Sequence, residues 1–285
     1  MRSALISVGS LFVVLSLLSA QPRSHRNSII SLLEQHKSVF GVYAPSNQGR
    51  RGEPPTSRSP LELAKDAFAY KTADFLFNGS AENGIDRAMP AISAFADAMK
   101  TVGETRPLVL KIPKIDPDRT QAAANIAREL NAGATGIMFV ETESADEVRA
   151  GIAAMRSAKG GLWPLDPNGE LINWTIVESK EGLKHVREIA QVKGIGVLWP
   201  GAGTLRGVFS TTNDKGERVL DQEGWEGAIQ QVLAACKEFH VPCGFPANPN
   251  DIEMRMKQGF SVFVMNWGDA GFKAVDIGRT IAGRN

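Results

Sequence analysis

The chain has 285 residues, with 32 Lys and Arg against 31 Asp and Glu, for a formal net charge of +1. That balance argues against a nucleic-acid partner, whose phosphates demand clustered basic side chains. A hydrophobic content of 43% argues against disorder. Only two cysteines occur, which excludes a disulfide scaffold. Cys236 and Cys243 either pair or stay as buried thiols, and the apolar strand-like setting of Cys243 favours the thiol.

Residues 1–20 carry one basic residue, Arg2, and then an apolar run ending in Ser19-Ala20. This is the pattern of a secretory signal peptide, cleaved near Gln21. Serines interrupt the run, and it falls short of the roughly 20 residues of a membrane span, which sets it apart from a retained anchor. The expected product is exported, periplasmic or secreted, with no membrane contact after cleavage. Residues 21–38 read as an N-terminal extension with a short amphipathic segment, and residues 39–285 as one domain.

In that domain, apolar β-rich runs at 39–43, 75–78, 108–112, 136–141, 174–179, 196–200, 243–246 and 262–267 alternate with helical periodicity. The helical stretches are 60–71, 87–100, 117–131, 145–157, 180–192, 223–239, 248–258 and 270–282. Ser59-Pro60 and Asp116-Pro117 each offer an N-cap followed by proline, and 144–147 has capping-box form. Gly133, Gly194 and Gly259 stand where C-cap glycines belong. Eight such units in this length predict an α/β fold of the (β/α)8 TIM-barrel type. The rival is an open doubly wound sheet, but the first βα turn lacks G-x-G-x-x-G. Two long loops, 45–59 and 211–222, fall on the C-terminal face, where barrel active sites are built.

The strand ends therefore define the candidate site. They are Tyr43, Asn78-Gly79-Ser80, Lys111, Glu141, Glu178, Pro200 to Thr204, Pro246 to Asn248, and Asn266-Trp267. One lysine and two carboxylates there suit metal-assisted or general acid–base work on an anionic substrate. Glu178 closes an apolar run, so it needs a partner or a function to be buried; a structural salt bridge is the competing reading for it, for Glu141 and for Lys111. Gly201, Ala202, Gly203 and Thr204 follow a buried strand, where small residues let backbone N–H groups approach a ligand carboxylate or phosphate. No histidine sits at a strand end, which disfavours a His base or a His-rich zinc site. Trp163, Trp174, Trp199 and Trp267 suggest an apolar pocket for an aromatic compound, with core packing as the alternative.

Four segments resemble the HpcH/HpaI aldolase/citrate lyase family. They are Ala73 to Gly79, Leu110 to Pro117 (LKIPKIDP), Ile176 to Gly182 (IVESKEG) and Gly194 to Gly201 (GIGVLWPG). The resemblance runs from about Val39 to the C-terminus. It implies a phosphoenolpyruvate/pyruvate-binding type of barrel, a divalent metal (Mg, Mn or Co), and homo-oligomers that exchange the last helix. The apolar face of Phe272, Val275, Ile277 and Ile281 is in keeping with that exchange. By the same resemblance Glu178 falls on a metal-ligand glutamate, the Gly201–Thr204 turn on a carboxylate-holding loop, and Lys111 on an arginine that orients a 2-oxo oxygen. A second ligand aspartate is replaced by Gly203 or Thr204. A Glu-His pair becomes Ser80-Ala81, with Asn78 in place of its aspartate partner. Glu141 or Glu82 could supply a replacement carboxylate.

The sequence thus leads to a lyase-like enzyme of the class II, metal-assisted aldolase type, which cleaves or forms a carbon–carbon bond in a 2-oxo acid or related small carboxylate through an enolate. Its expected catalytic residues are Lys111, Glu178 and Asn78, its metal ligands Glu178 and Glu141, and its substrate amides Gly201 to Thr204. The alternative is a non-catalytic small-molecule-binding barrel.

Overall fold

The structure, a computed structural model, describes residues 25–48 and 55–284. The expected leader, 1–20, lies outside the described residues. A short helix α1 (Ser28–Glu34) precedes β1 (Val39–Tyr43), α2 (Pro60–Ala69), β2 (Phe75–Asn78), α3 (Ile85–Thr101), β3 (Leu108–Lys111) and α4 (Arg119–Ala132). Then come β4 (Gly136–Phe139), α5 (Ala145–Lys159), β5 (Leu162–Trp163), β6 (Leu171–Val177), α6 (Lys180–Lys184), α7 (Val186–Ala190) and β7 (Ile195–Pro200). The chain ends with α8 (Ala202–Val208), β8 (Ser210–Thr212), β9 (Arg218–Leu220), α9 (Gln222–Glu238), β10 (Gly244–Pro246), α10 (Ile252–Gln258), β11 (Val262–Met265) and α11 (Asp269–Ile281).

The expected alternation is present, and the parallel sheet curls into a ring. Strands β10, β11, β1, β2, β3, β4, β6 and β7 follow one another around it. The ring is thinnest between β7 and β10, where a single bridge joins Leu198 to Cys243 and the Leu198 N–H donates to Pro242 at 2.9 Å. The two-residue β5 pairs only with the start of β6, outside the ring.

Period-2 alternation divides the strand residues between two apolar layers. Val39, Phe75, Phe77, Val109, Met138, Ile172, Trp174, Ile176, Val197, Trp199, Val262 and Val264 fill the barrel interior. Their neighbours, such as Phe40, Leu76, Leu110, Ile137, Val177, Leu198 and Phe263, face the helices. Gly41 belongs to the inner set, and a Cβ there would lie 2.2 Å from the Phe75 ring. Trp174 is fully buried and stacks on Trp199 with ring centres 5.4 Å apart.

Helix α1, in the segment expected as an extension, packs Ile29, Ile30 and Leu33 into the interior cluster. Asn27 caps it through the Ile29 N–H and is itself held by Glu170. At the chain's other end Arg279 and Arg284 reach Asp74, which also accepts the Phe40 N–H.

Local signals held in part. Ser59 and Glu62 form a full capping box with Pro60 at the first position, and Ser144 caps α5. Helix α4 starts later than expected: Asp118, not Asp116, is the cap, accepting the Gln121 N–H at 2.9 Å. The stretch 180–192 is two short helices, and α10 begins at Ile252 because Asn248 is engaged with Asp251. The loop 211–222 contains most of the β8–β9 hairpin. Cys236 and Cys243 form a disulfide between the end of α9 and the start of β10, which overturns the buried-thiol reading. Val275 is buried, and Phe272 stacks on Tyr70 at 4.0 Å, so much of the apolar face of α11 is used within the chain.

Candidate active site

A cavity of about 170 Å³ opens at the C-terminal mouth of the barrel. Phe77, Met138, Ile176, Trp199 and Val264, each inward by strand parity, make its apolar floor and walls. Its polar lining comprises Tyr43, Lys111, Glu178 and the turn from Gly201 to Thr204. The strand-end reading therefore brings together Lys111, Glu178, Gly201, Ala202, Gly203 and Thr204.

It does not bring in Asn78 or Glu141. Lys111 is in phase with inward Val109, and Glu178 with inward Trp174 and Ile176; Asn78 and Glu141 are out of phase with Phe77 and Val140 and are not among the lining residues. Asn78 instead accepts the Ser80 N–H at 2.8 Å, closing its own turn. Glu141 is exposed, and it is its backbone that serves the site: at φ 48° its N–H points to Glu178 Oε1 at 3.0 Å. A non-glycine residue in that left-handed region is uncommon and costs free energy, here offset by fixing a carboxylate that is only 2% exposed.

Gly201 completes the hold on Glu178. A Cβ at Gly201 would stand 2.3 Å from the Glu178 Cβ and 2.6 Å from its Oε2. The Gly201 N–H donates to Val177, and the first bond of α8 runs from the Leu205 N–H to Gly201. The N–H groups of Ala202, Gly203 and Thr204 precede that bond, so the helix itself offers them no acceptor. Gly203 and Thr204 are exposed at the mouth.

Lys111 crosses the end of β2 over Gly79, where an added Cβ would lie 3.3 Å from the lysine Cδ. Its Nζ then donates to Glu82 Oε2 at 2.9 Å, with side-chain exposures of only 14% and 23%. Tyr43 stands edge-on to Phe77 at 5.0 Å. Burial raises its phenol above the ordinary range; Lys111 opposes that shift and Glu82 adds to it. Lys114, the neighbouring cation, is committed to Glu143 on the rim. Of the four tryptophans suggested for a pocket, only Trp199 lines this one: Trp174 lies beneath it, Trp163 bonds Glu34, and Trp267 packs on Tyr70 and Phe272. Tyr43 and Glu82 were legible as a strand end and a nearby carboxylate. Phe77 and Met138 were legible only through parity.

The donor set offers a divalent ion little. Among the described residues Glu178 is the one carboxylate of the cavity lining, it already accepts a backbone N–H, and it shares the cavity with a lysine. Glu141 points elsewhere, and no group of three or more His, Cys, Asp or Glu able to hold a metal occurs among the described residues. Mg²⁺ is ordinarily held by one or two carboxylates and completed by water and substrate oxygens; here a single carboxylate, already bonded to a backbone N–H, stands beside an ammonium that opposes a dication. The described residues do not by themselves fit a resident metal.

Fold and cavity define a (β/α)8 protein with a small, polar-rimmed ligand pocket at the C-terminal mouth. A family model, HpcH/HpaI aldolase/citrate lyase, matches residues 62–268, and the chain belongs to that family. No curated protein matches. Among solved structures, a family protein from Burkholderia cenocepacia J2315 is 18% identical, with 87% of this chain and 91% of that one covered at a TM-score of 0.61. Macrophomate synthase is also 18% identical, covering 90% and 86% at 0.61. Protein CitE from Mycobacterium tuberculosis, in complex with magnesium and acetate, is 18% identical, covering 88% and 93% at 0.51. At such identity the likeness shows the fold.

Proposed function

We propose that this chain is an aldolase-type carbon–carbon lyase acting on a small 2-oxo acid or related carboxylate through an enolate-like state. The observation that carries the reading is that Lys111, Glu178 and the turn from Gly201 to Thr204 line one small, largely apolar cavity. The amides hold the substrate carboxylate, since unpaired N–H groups at a turn attract anions. Lys111 faces the 2-oxo oxygen and stabilises the negative charge that grows there as the bond to C3 breaks. The apolar walls limit water, which strengthens that interaction and protects the enolate from stray protonation. Glu178, locked by the Glu141 N–H and Gly201, is placed to accept or return the C3 proton.

The family membership supports the lyase class, and the lysine in place of an arginine retains the charge without the planar fork. Following the pyruvate methyl signal by proton NMR in D₂O tests the reading. Wild type should exchange the methyl protons, and Glu178→Ala should lose that exchange. Runs with added Mg²⁺, Mn²⁺, Co²⁺ or a chelator should differ little. Pyruvate that stabilises the protein without exchanging would point instead to a binding barrel. Export, and association of the chain with copies of itself, belong to the same proposal. They are tested by locating the processed N-terminus in cell fractions and by light scattering.

A further inference from the structure

The cavity's own chemistry goes further than charge stabilisation. Among the described residues its one cation is an amine held against a carboxylate, with Glu82 Oε2 2.9 Å from Lys111 Nζ. An arginine in this place could only donate hydrogen bonds, whereas a lysine that passes a proton to its partner becomes a nucleophile toward a carbonyl carbon. The described donors around it do not by themselves make a metal site. A 2-oxo acid bound here would nevertheless need an electron sink at C2.

We infer that Lys111 is that sink, as the covalent nucleophile that forms an iminium with the 2-oxo group, and that Glu82 is its proton relay. This rests on the reading that a 2-oxo acid is the substrate. The step balances within the site. Lys111 gives one proton to Glu82, and its nitrogen lone pair attacks C2 while the carbonyl π pair moves onto oxygen. Glu82 passes that proton to the oxygen, and the nitrogen gives up a second one. The oxygen leaves as water, two of the three ammonium protons having gone with it, and the C2=N iminium keeps the positive charge. The iminium then accepts the electron pair of the C3 bond that breaks, leaving an enamine. No outside acid, oxidant or ion enters the balance.

The arrangement around Lys111 supports the assignment. Gly79 lets the lysine stem lie flat across the end of β2, so the amine reaches the cavity without a side chain in its way. Side-chain exposures of 14% and 23% keep the Lys111–Glu82 pair out of bulk water, with the carboxylate oxygen 2.9 Å from the amine and so within reach of its protons.

Sodium borohydride reduction of the full-length protein in the presence of pyruvate decides the matter, read by peptide mass spectrometry beside the methyl-exchange assay. The expected result is a reduced pyruvyl group on Lys111, retained in chelator. Lys111→Arg, which keeps the charge, should lose both the adduct and the exchange, and Glu82→Gln should slow adduct formation. Methyl exchange without an adduct overturns this inference and leaves the proposed function standing. An adduct without exchange supports the covalent step and overturns the enolate reading. Neither signal, or exchange undiminished in Lys111→Arg, overturns the inference, and absence of both overturns the proposed function as well.

Discussion

Replacing Gly201 by alanine tests the site's architecture at one atom. The Gly201 backbone, at φ −72° and ψ 65°, has an inverse γ-turn conformation open to alanine and does not call for the left-handed region that favours glycine. The whole cost comes from the new Cβ, which would stand 2.3 Å from the Glu178 Cβ and 2.6 Å from Oε2. Glu178 has little room to yield, being 2% exposed and bonded to the Glu141 N–H. If it rotates away it loses a charge-assisted bond, about 1.5–3 kcal/mol; if α8 shifts instead, overpacking costs about 1–3 kcal/mol. Gly203→Ala is the control, because a Cβ there meets nothing within 4 Å. Inside a helix, alanine should be neutral or stabilising by up to about 1 kcal/mol. Urea unfolding should therefore separate the two variants by roughly 1–4 kcal/mol, and Gly201→Ala should also lose pyruvate exchange. Unfolding curves agreeing within about 0.5 kcal/mol would show that Glu178 is not wedged as described.

Three further outcomes follow from buried groups away from the cavity. Asp74→Ala removes the carboxylate shared by Arg279, Arg284 and the Phe40 N–H, and should cost about 3–5 kcal/mol in chemical denaturation. Glu129 is fully buried with neither carboxyl oxygen partnered, and burial raises its pKa well above the ordinary 4.5. The unfolded chain then gives up this proton first, so its contribution is intact below pH 4.5 and declines as pH rises toward the folded value. Stability measured across a pH series should fall in that direction for wild type relative to Glu129→Gln. Reducing the Cys236–Cys243 bond, which spans seven positions, should lower stability by about 2.4 kcal/mol on the loop-entropy relation, read by unfolding with and without reductant.

Much of the barrel could be read directly because its strands are short apolar runs, buried on both faces, set between helical stretches of which several carry side-chain caps. Strand parity carried the site only where it was applied fully. Lys111 and Glu178 end strands and also continue the inward phase; Asn78 and Glu141 end strands on the opposite phase, and position alone put them in the site. Glu141 serves Glu178 through its backbone, which no side-chain pattern displays. The approach of Glu82 to Lys111 depends on the turn after β2, where the Glu82 N–H returns to Gly79, a tertiary outcome with no local signal. The disulfide likewise depends on how α9 turns back into β10, bringing the two Cα atoms to 5.7 Å. The β8–β9 hairpin had a turn signal in Asn213 and Gly216, at φ 76°, but strands of three residues are too short to show alternation.

Volume alone would place the chemistry elsewhere. A larger cavity, about 570 Å³, lies at the opposite end of the barrel among the starts of β3, β4 and β6. Its polar groups are largely occupied. Arg106 is spent on Glu104 and on the carbonyls of Ala67 and Tyr70, and Glu170 is spent on the N–H groups of Arg26 and Asn27. These bonds tie loops to the barrel's base, the end of the fold where side chains serve stability. The smaller cavity differs in kind. Its lysine has one partner on a turn, its glutamate is clamped by a strained backbone and a glycine, and its helix-start N–H groups have no acceptor within their helix. Donors left free by the fold, beside charges the fold has fixed, make a place where a carboxylate substrate adds the missing partner, and that is why the chemistry is assigned to the smaller space.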